Sequence, residues 1–133
     1  MDTATALQSA ENILKPLAEG FSRPEENRLD VSMKVKNLKE SVRLLTAARW
    51  GYLGAIVGLD NATPSTTGED ADTATAGAGH LEVIYLFFEG AAVAALRVAV
   101  PYKNATVPTV CDIVPSATLY ERELMELFGI TVE

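Results

Sequence analysis

Two runs rich in Val, Ile, Leu, Tyr and Phe, from His80 to Phe88 and from Ala91 to Val100, stand on either side of Glu89-Gly90. No other feature limits the fold as sharply. Two β-forming runs joined by two residues close as a tight hairpin, so these segments pair antiparallel. Tyr52 to Leu59 is continuously apolar, the length and character of a central strand, slightly weakened by Gly54 and Gly58. Arg28 to Val35 alternates, with Leu29, Val31, Met33 and Val35 on one face and Arg28, Asp30, Ser32 and Lys34 on the other. That period of two marks a strand with one buried face. A sheet of about four strands follows.

The remaining periodic segments are helical. Leu7, Ala10, Leu14 and Leu17 form a stripe within Thr5 to Glu19, but Pro16 would cost about 3 kcal/mol inside a helix, so the helix stops or kinks near Lys15. Phe21 to Asn27 reads as a loop. Asn37, with Glu40 three residues on, can cap a helix whose buried stripe is Leu38, Val42 and Leu45 and which ends by Gly51. From Asp60 to Gly79 no large apolar residue occurs; such a stretch cannot offset its own ordering entropy and reads as a flexible loop, residues 60–79. The order predicts an α+β fold: a mixed, mostly antiparallel sheet with helices packed on it. At 133 residues and 48% hydrophobic, the chain suffices for a single domain spanning 1–133.

Charge and metal-ligand arithmetic exclude several functions. A formal net charge of −7 repels phosphate backbones, so nucleic acid is not an expected partner. The longest apolar runs are about half the ~20 residues of a spanning helix, so no direct membrane insertion is expected. Met1-Asp2-Thr3-Ala4 lacks a basic lead-in and does not read as a secretion signal. Cys111 is the only cysteine and His80 the only histidine, too few for a four-thiolate iron–sulfur cluster or a structural Cys/His zinc site. Asp60, Glu69, Asp70 and Asp72 miss the spacing of a calcium loop. Gly51, Gly54, Gly58, Gly77 and Gly79 form no phosphate cradle. His80 is expected to be an exposed strand-edge residue, and Cys111 a buried or interface thiol. No catalytic, cofactor-binding or metal residues are therefore assigned.

The densest motif is Ala117-Thr118-Leu119-Tyr120-Glu121-Arg122-Glu123-Leu124-Met125-Glu126-Leu127-Phe128-Gly129-Ile130. Thr118 with Glu121 fits a capping box, and Gly129 fits a left-handed helix stop. Tyr120, Leu124, Leu127 and Phe128 are spaced as an apolar stripe, and Arg122 and Glu126 as an ion pair one turn apart. Glu121 and Glu123 diverge around the helix by about 100° per residue, which argues against paired-carboxylate catalysis. A solvated face remains possible on spacing alone. An interface helix, with Tyr120, Glu121, Arg122, Glu123, Glu126 and Phe128 as partner-facing residues, accounts for more of the motif.

Pro115 to Ile130 resembles the signature of the 30 kDa subunit family of respiratory NADH:quinone oxidoreductase, complex I, which includes the related subunit of membrane-bound energy-converting [NiFe] hydrogenases. Leu119 stands where that family usually has Trp, and the family's basic, His-containing tail would follow Glu133. The resemblance implies an α+β domain and a non-catalytic structural and assembly subunit of the peripheral arm. It further implies docking on the 49 kDa-type large subunit, near the small iron–sulfur subunit, and support of electron transfer to quinone. No cofactor would be bound by this chain, its iron–sulfur clusters lying in partner subunits. The location implied is peripheral, at the cytoplasmic face of the membrane, through those partners. The equivalent hydrogenase subunit and an adaptor unrelated to redox machinery are the alternatives, beside a stand-alone enzyme using His80 or Cys111.

Overall fold

A computed structural model describes residues 2–61 and 80–133. Helix α1 (Thr3–Leu14) starts where the Asp2 carboxylate accepts the Thr5 N–H at 2.7 Å and stops at Lys15, directly before Pro16. It buries Ala6, Leu7, Ala10 and Leu14. Leu17 lies beyond its end. Next come β1 (Gly20–Glu25) and β2 (Arg28–Ser32), an antiparallel hairpin. The expected loop at 21–27 is thus largely strand. β1 carries no apolar alternation because it is a sheet edge with its last four residues exposed, and Pro24 is tolerated where one side of the backbone has no partner.

Helix α2 (Val35–Ala47) begins two residues before the expected cap and absorbs Val35 from the expected strand. Lys34 occupies the N-cap without a side-chain bond, and the Asn37 amide instead reaches the Leu17 carbonyl at 3.4 Å. Leu38, Val42 and Leu45 are buried as the periodicity requires. Trp50 follows, buried, its indole N–H donating to the Ala6 carbonyl at 2.8 Å and so fastening the end of α2 to α1.

Strands β3 (Tyr52–Asn61), β4 (His80–Glu89) and β5 (Ala92–Val100) complete a five-stranded sheet in the order β1-β2-β5-β4-β3. All pairs are antiparallel except β2 with β5. The hairpin is present but its turn is Gly90-Ala91, since Glu89 pairs with Ala92; Gly90 adopts φ +59°, which glycine reaches without penalty. β3 is an edge and not the expected central strand. Its apolar run is satisfied by β4 along one side and a helix over one face. Asp60 and Asn61 extend it into the expected loop, whose remainder, 62–79, lies outside the described residues. His80 opens β4 opposite Asn61 and is half-buried, because β4 runs inside the sheet and not at its rim.

One row across the sheet, Ile56, Tyr85, Leu96 and Val31, faces the helices and is buried throughout. The adjoining row, Val57, Ile84, Arg97 and Ser32, lies on the other face. There Arg97 donates to Glu82 twice, at 3.0 and 2.7 Å, and to Asp30 at 2.7 Å, while Arg28 donates to Asp30 at 2.6 Å. These bidentate, charge-assisted bonds cross β4, β5 and β2 and push the Arg97 guanidinium above its ordinary value, chiefly through Glu82.

The chain closes with β6 (Thr106–Val107), α3 (Ala117–Phe128) and β7 (Thr131–Val132), β7 pairing parallel with β6. No helix among the described residues is long and apolar enough to cross a membrane.

Candidate functional site

Helix α3 carries the signature and packs over β3. Its buried positions are Ala117, Glu121 and Leu124, with Phe128 half-buried one turn on. The spacing 4, 3, 4 is an ordinary core-facing stripe in which a carboxylate occupies an apolar place. Glu121 is only 4% exposed. Burying a carboxylate is costly unless its oxygens are satisfied, and here they are. The Val110 N–H donates to Oε2 at 2.8 Å, the Thr109 hydroxyl to Oε1 at 2.8 Å and the Cys111 thiol to Oε1 at 3.0 Å. Glu121 therefore pins the loop before α3 to the helix from within.

This arrangement replaces the expected capping box. Ser116 is the N-cap, with no side-chain bond, and Thr118 lies inside the first turn, its hydroxyl donating to the Pro115 carbonyl at 2.9 Å. Gly129 ends the helix as anticipated, at φ +67°, its N–H bonding the Met125 carbonyl at 3.1 Å.

Two further signature residues hold the helix on the sheet. The Tyr120 hydroxyl donates to the Gly54 carbonyl at 2.8 Å, and the Phe128 ring covers Gly58. Of the six residues expected to face a partner, Tyr120, Glu121 and Phe128 thus engage this chain's own loop and strand. Arg122, Glu123 and Glu126 are exposed, with Leu119 alongside them at 66%. The expected Arg122–Glu126 ion pair does not form among the described residues, nor does Arg122 find another carboxylate. Leu127, expected on the buried stripe, is 73% exposed. The stripe runs through Glu121 instead, which rotates Leu127 to the rim.

Cys111 is half-buried and hydrogen-bonded to Glu121, as an inward-held thiol should be. Close to this anchor, Tyr85 is fully buried and its hydroxyl finds no partner among the described residues. Burial, and secondarily the Glu121 charge, pushes its pKa well above the ordinary 10.0. On the loop's outer side, Lys39 meets Asp112 at 3.1 Å and lowers the Asp112 carboxyl from its usual value. No group of three or more His, Cys, Asp or Glu that could hold a metal occurs among the described residues.

A domain of this fold with the signature helix set on its sheet belongs to the class of subunits of multi-subunit respiratory complexes. Residues 27–133 match the family described as respiratory-chain NADH dehydrogenase, 30 Kd subunit, and the chain belongs to that family. A trypsin-resistant fragment of Nqo5 is similar over 97% of this chain and 93% of that one, with 26% identity and a TM-score of 0.71. A chain of the membrane-bound sulfane sulfur reductase, an archaeal respiratory membrane complex, shares the fold: TM-score 0.72, 23% identity, 97% of this chain and 71% of that one. No curated protein sequence matches. The chain is thus a subunit of a respiratory NADH:quinone-type complex or a related membrane complex, and the adaptor outside redox machinery is set aside.

Proposed function

We propose that this chain is a non-catalytic docking subunit of the peripheral arm. In this reading it lies against the 49 kDa-type large subunit and near the small iron–sulfur subunit, and supports electron transfer to quinone by holding them in register. It binds no cofactor itself, and its partners hold it at the cytoplasmic face of the membrane. One observation carries the reading: α3 is locked from within by Glu121 while Leu119, Arg122, Glu123 and Glu126 are left facing outward. A helix locked in place, with a guanidinium that meets no carboxylate among the described residues, is suited to meet one on another subunit, where a desolvated pair contributes far more than it would in water.

The test is Arg122→Ala in the complex. Association with the large subunit should weaken at least about tenfold, whereas an exposed ion pair alone contributes ~0–1 kcal/mol, and the melting temperature of the isolated chain should stay unchanged. Unaltered association would sink the proposal. The equivalent role in an energy-converting [NiFe] hydrogenase is the second reading, supported by the fold shared with an archaeal membrane complex; nickel in the purified assembly would favour it.

A further inference from the structure

The two edges of the main sheet are built in opposite ways. β1 is short, contains Arg23, Pro24 and Glu25, and breaks register between Ser22 and Glu25. Short length, proline, charge and irregularity are the usual means of stopping a sheet from acquiring another strand. β3, at the other edge, runs for ten residues from Tyr52 to Asn61 and carries neither proline nor any charge before Asp60. Among the described residues only β4 pairs with it. Half of its backbone N–H and C=O groups therefore point outward, and Tyr120 engages the Gly54 carbonyl alone. Val57 and Leu59 are 38% and 39% exposed on its open face. On its helix side, Ile56, Gly58, Leu127 and Phe128 line a groove of about 240 Å³.

We infer that β3's outer edge accepts an extended, basic segment of a partner polypeptide as a sixth strand. A row of unpaired peptide groups flanked by apolar side chains specifies an extended backbone, with alternate side chains filling the groove and covering Val57 and Leu59. Charge selects its sequence. On the helix side Glu123 lines the groove with no cation among the groove residues, and Asp60 stands at the strand's end bonded by the neutral Tyr102 hydroxyl, so the basic side chains face that side. On the open face, where Arg28 and Arg97 stand beside Val57 and Leu59, the alternate side chains are apolar. A second copy fits poorly, because edge-to-edge pairing of β3 would bring together two chains that each carry a net charge of −7. The inference rests on the docking role and names a surface separate from Arg122.

The probe is a synthetic peptide, acetyl-Lys-Val-Thr-Val-Lys-Val-Thr-Val-amide, titrated into the full isotope-labelled chain, with amide exchange read at residues 55–60. Exchange there should slow roughly tenfold or more on saturation. An analogue with Glu for Lys should bind roughly tenfold more weakly, one N-methylated along a single backbone edge should not bind, and Glu123→Lys should reverse the charge preference. Unchanged exchange at 55–60 would overturn the proposal. So would a dimer whose β3 amides are protected before peptide is added, which would assign the edge to a second copy. Because the peptide meets the isolated chain, this result is independent of whether Arg122→Ala affects assembly.

Discussion

The Phe128 ring lies so near Gly58 that a Cβ there would stand 2.6 Å from its Cε2 atom. Glycine at this point of β3 is what lets the last turn of α3 settle on the sheet. Gly58→Val should therefore expel the ring and cost about 1–3 kcal/mol by overpacking, read from urea unfolding. Gly58→Val combined with Phe128→Ala should recover part of that loss, since the clash is removed from both sides.

Glu121 and Arg122 are sequence neighbours with opposite duties. Glu121→Ala strands the Val110 N–H and the Thr109 hydroxyl in a buried site and should lower stability by about 2–4 kcal/mol. Arg122→Ala should stay within about 0.5 kcal/mol of the parent, as exposed substitutions do. A chemical-denaturation series on both variants separates the two. Equal losses would contradict the inward and outward assignment.

Tyr85→Phe removes a hydroxyl that is buried without a partner among the described residues. Stability at neutral pH should be unchanged or rise by up to about 1 kcal/mol, because no bond is lost and a desolvated polar group disappears. The pH dependence has a definite sign. With the folded pKa raised above the unfolded value near 10.0, the phenol's contribution is fully present below that value. It is lost as pH climbs above it, where only the unfolded chain releases the proton. The variant should lose that alkaline decline, a difference visible in melts from pH 9 to 11.

Arg97 spans two carboxylates on the sheet face turned away from α1, α2 and α3. Arg97→Met leaves Glu82 and the 8%-exposed Asp30 without their shared cation and should cost about 2 kcal/mol. Arg97→Lys should restore only a fraction, since an ammonium cannot reproduce the forked contact with Glu82.

What the sequence disclosed follows what is local. Pro16 announced the end of α1, and the paired apolar runs announced the β4–β5 hairpin, because each depends on nearby residues alone. β1 was silent: an edge strand with exposed side chains has no need for alternation. The apolar run of β3 was visible, but its place at the rim was not, since strand order is decided by pairings such as β2 with β5 that span the chain. The site was half legible. Gly129 and the exposed Arg122, Glu123 and Glu126 could be read from the motif. The motif alone suggests Glu121 as a capping-box acid or a partner-facing residue, although it falls in register with Ala117, Leu124 and Phe128; its donors, Thr109 to Cys111, lie in a loop without periodicity.

The parallel pairing of β2 with β5 sets a timetable for the chain's birth. Leu29 and Val31 cannot be roofed and flanked until Val93 to Arg97 have emerged from the ribosome. The early helices and first hairpin must wait, sticky and incomplete, until β5 has been made. An assembly that grows by adding subunits would then receive this domain as an all-at-once folder, competent only after β5 has joined the sheet.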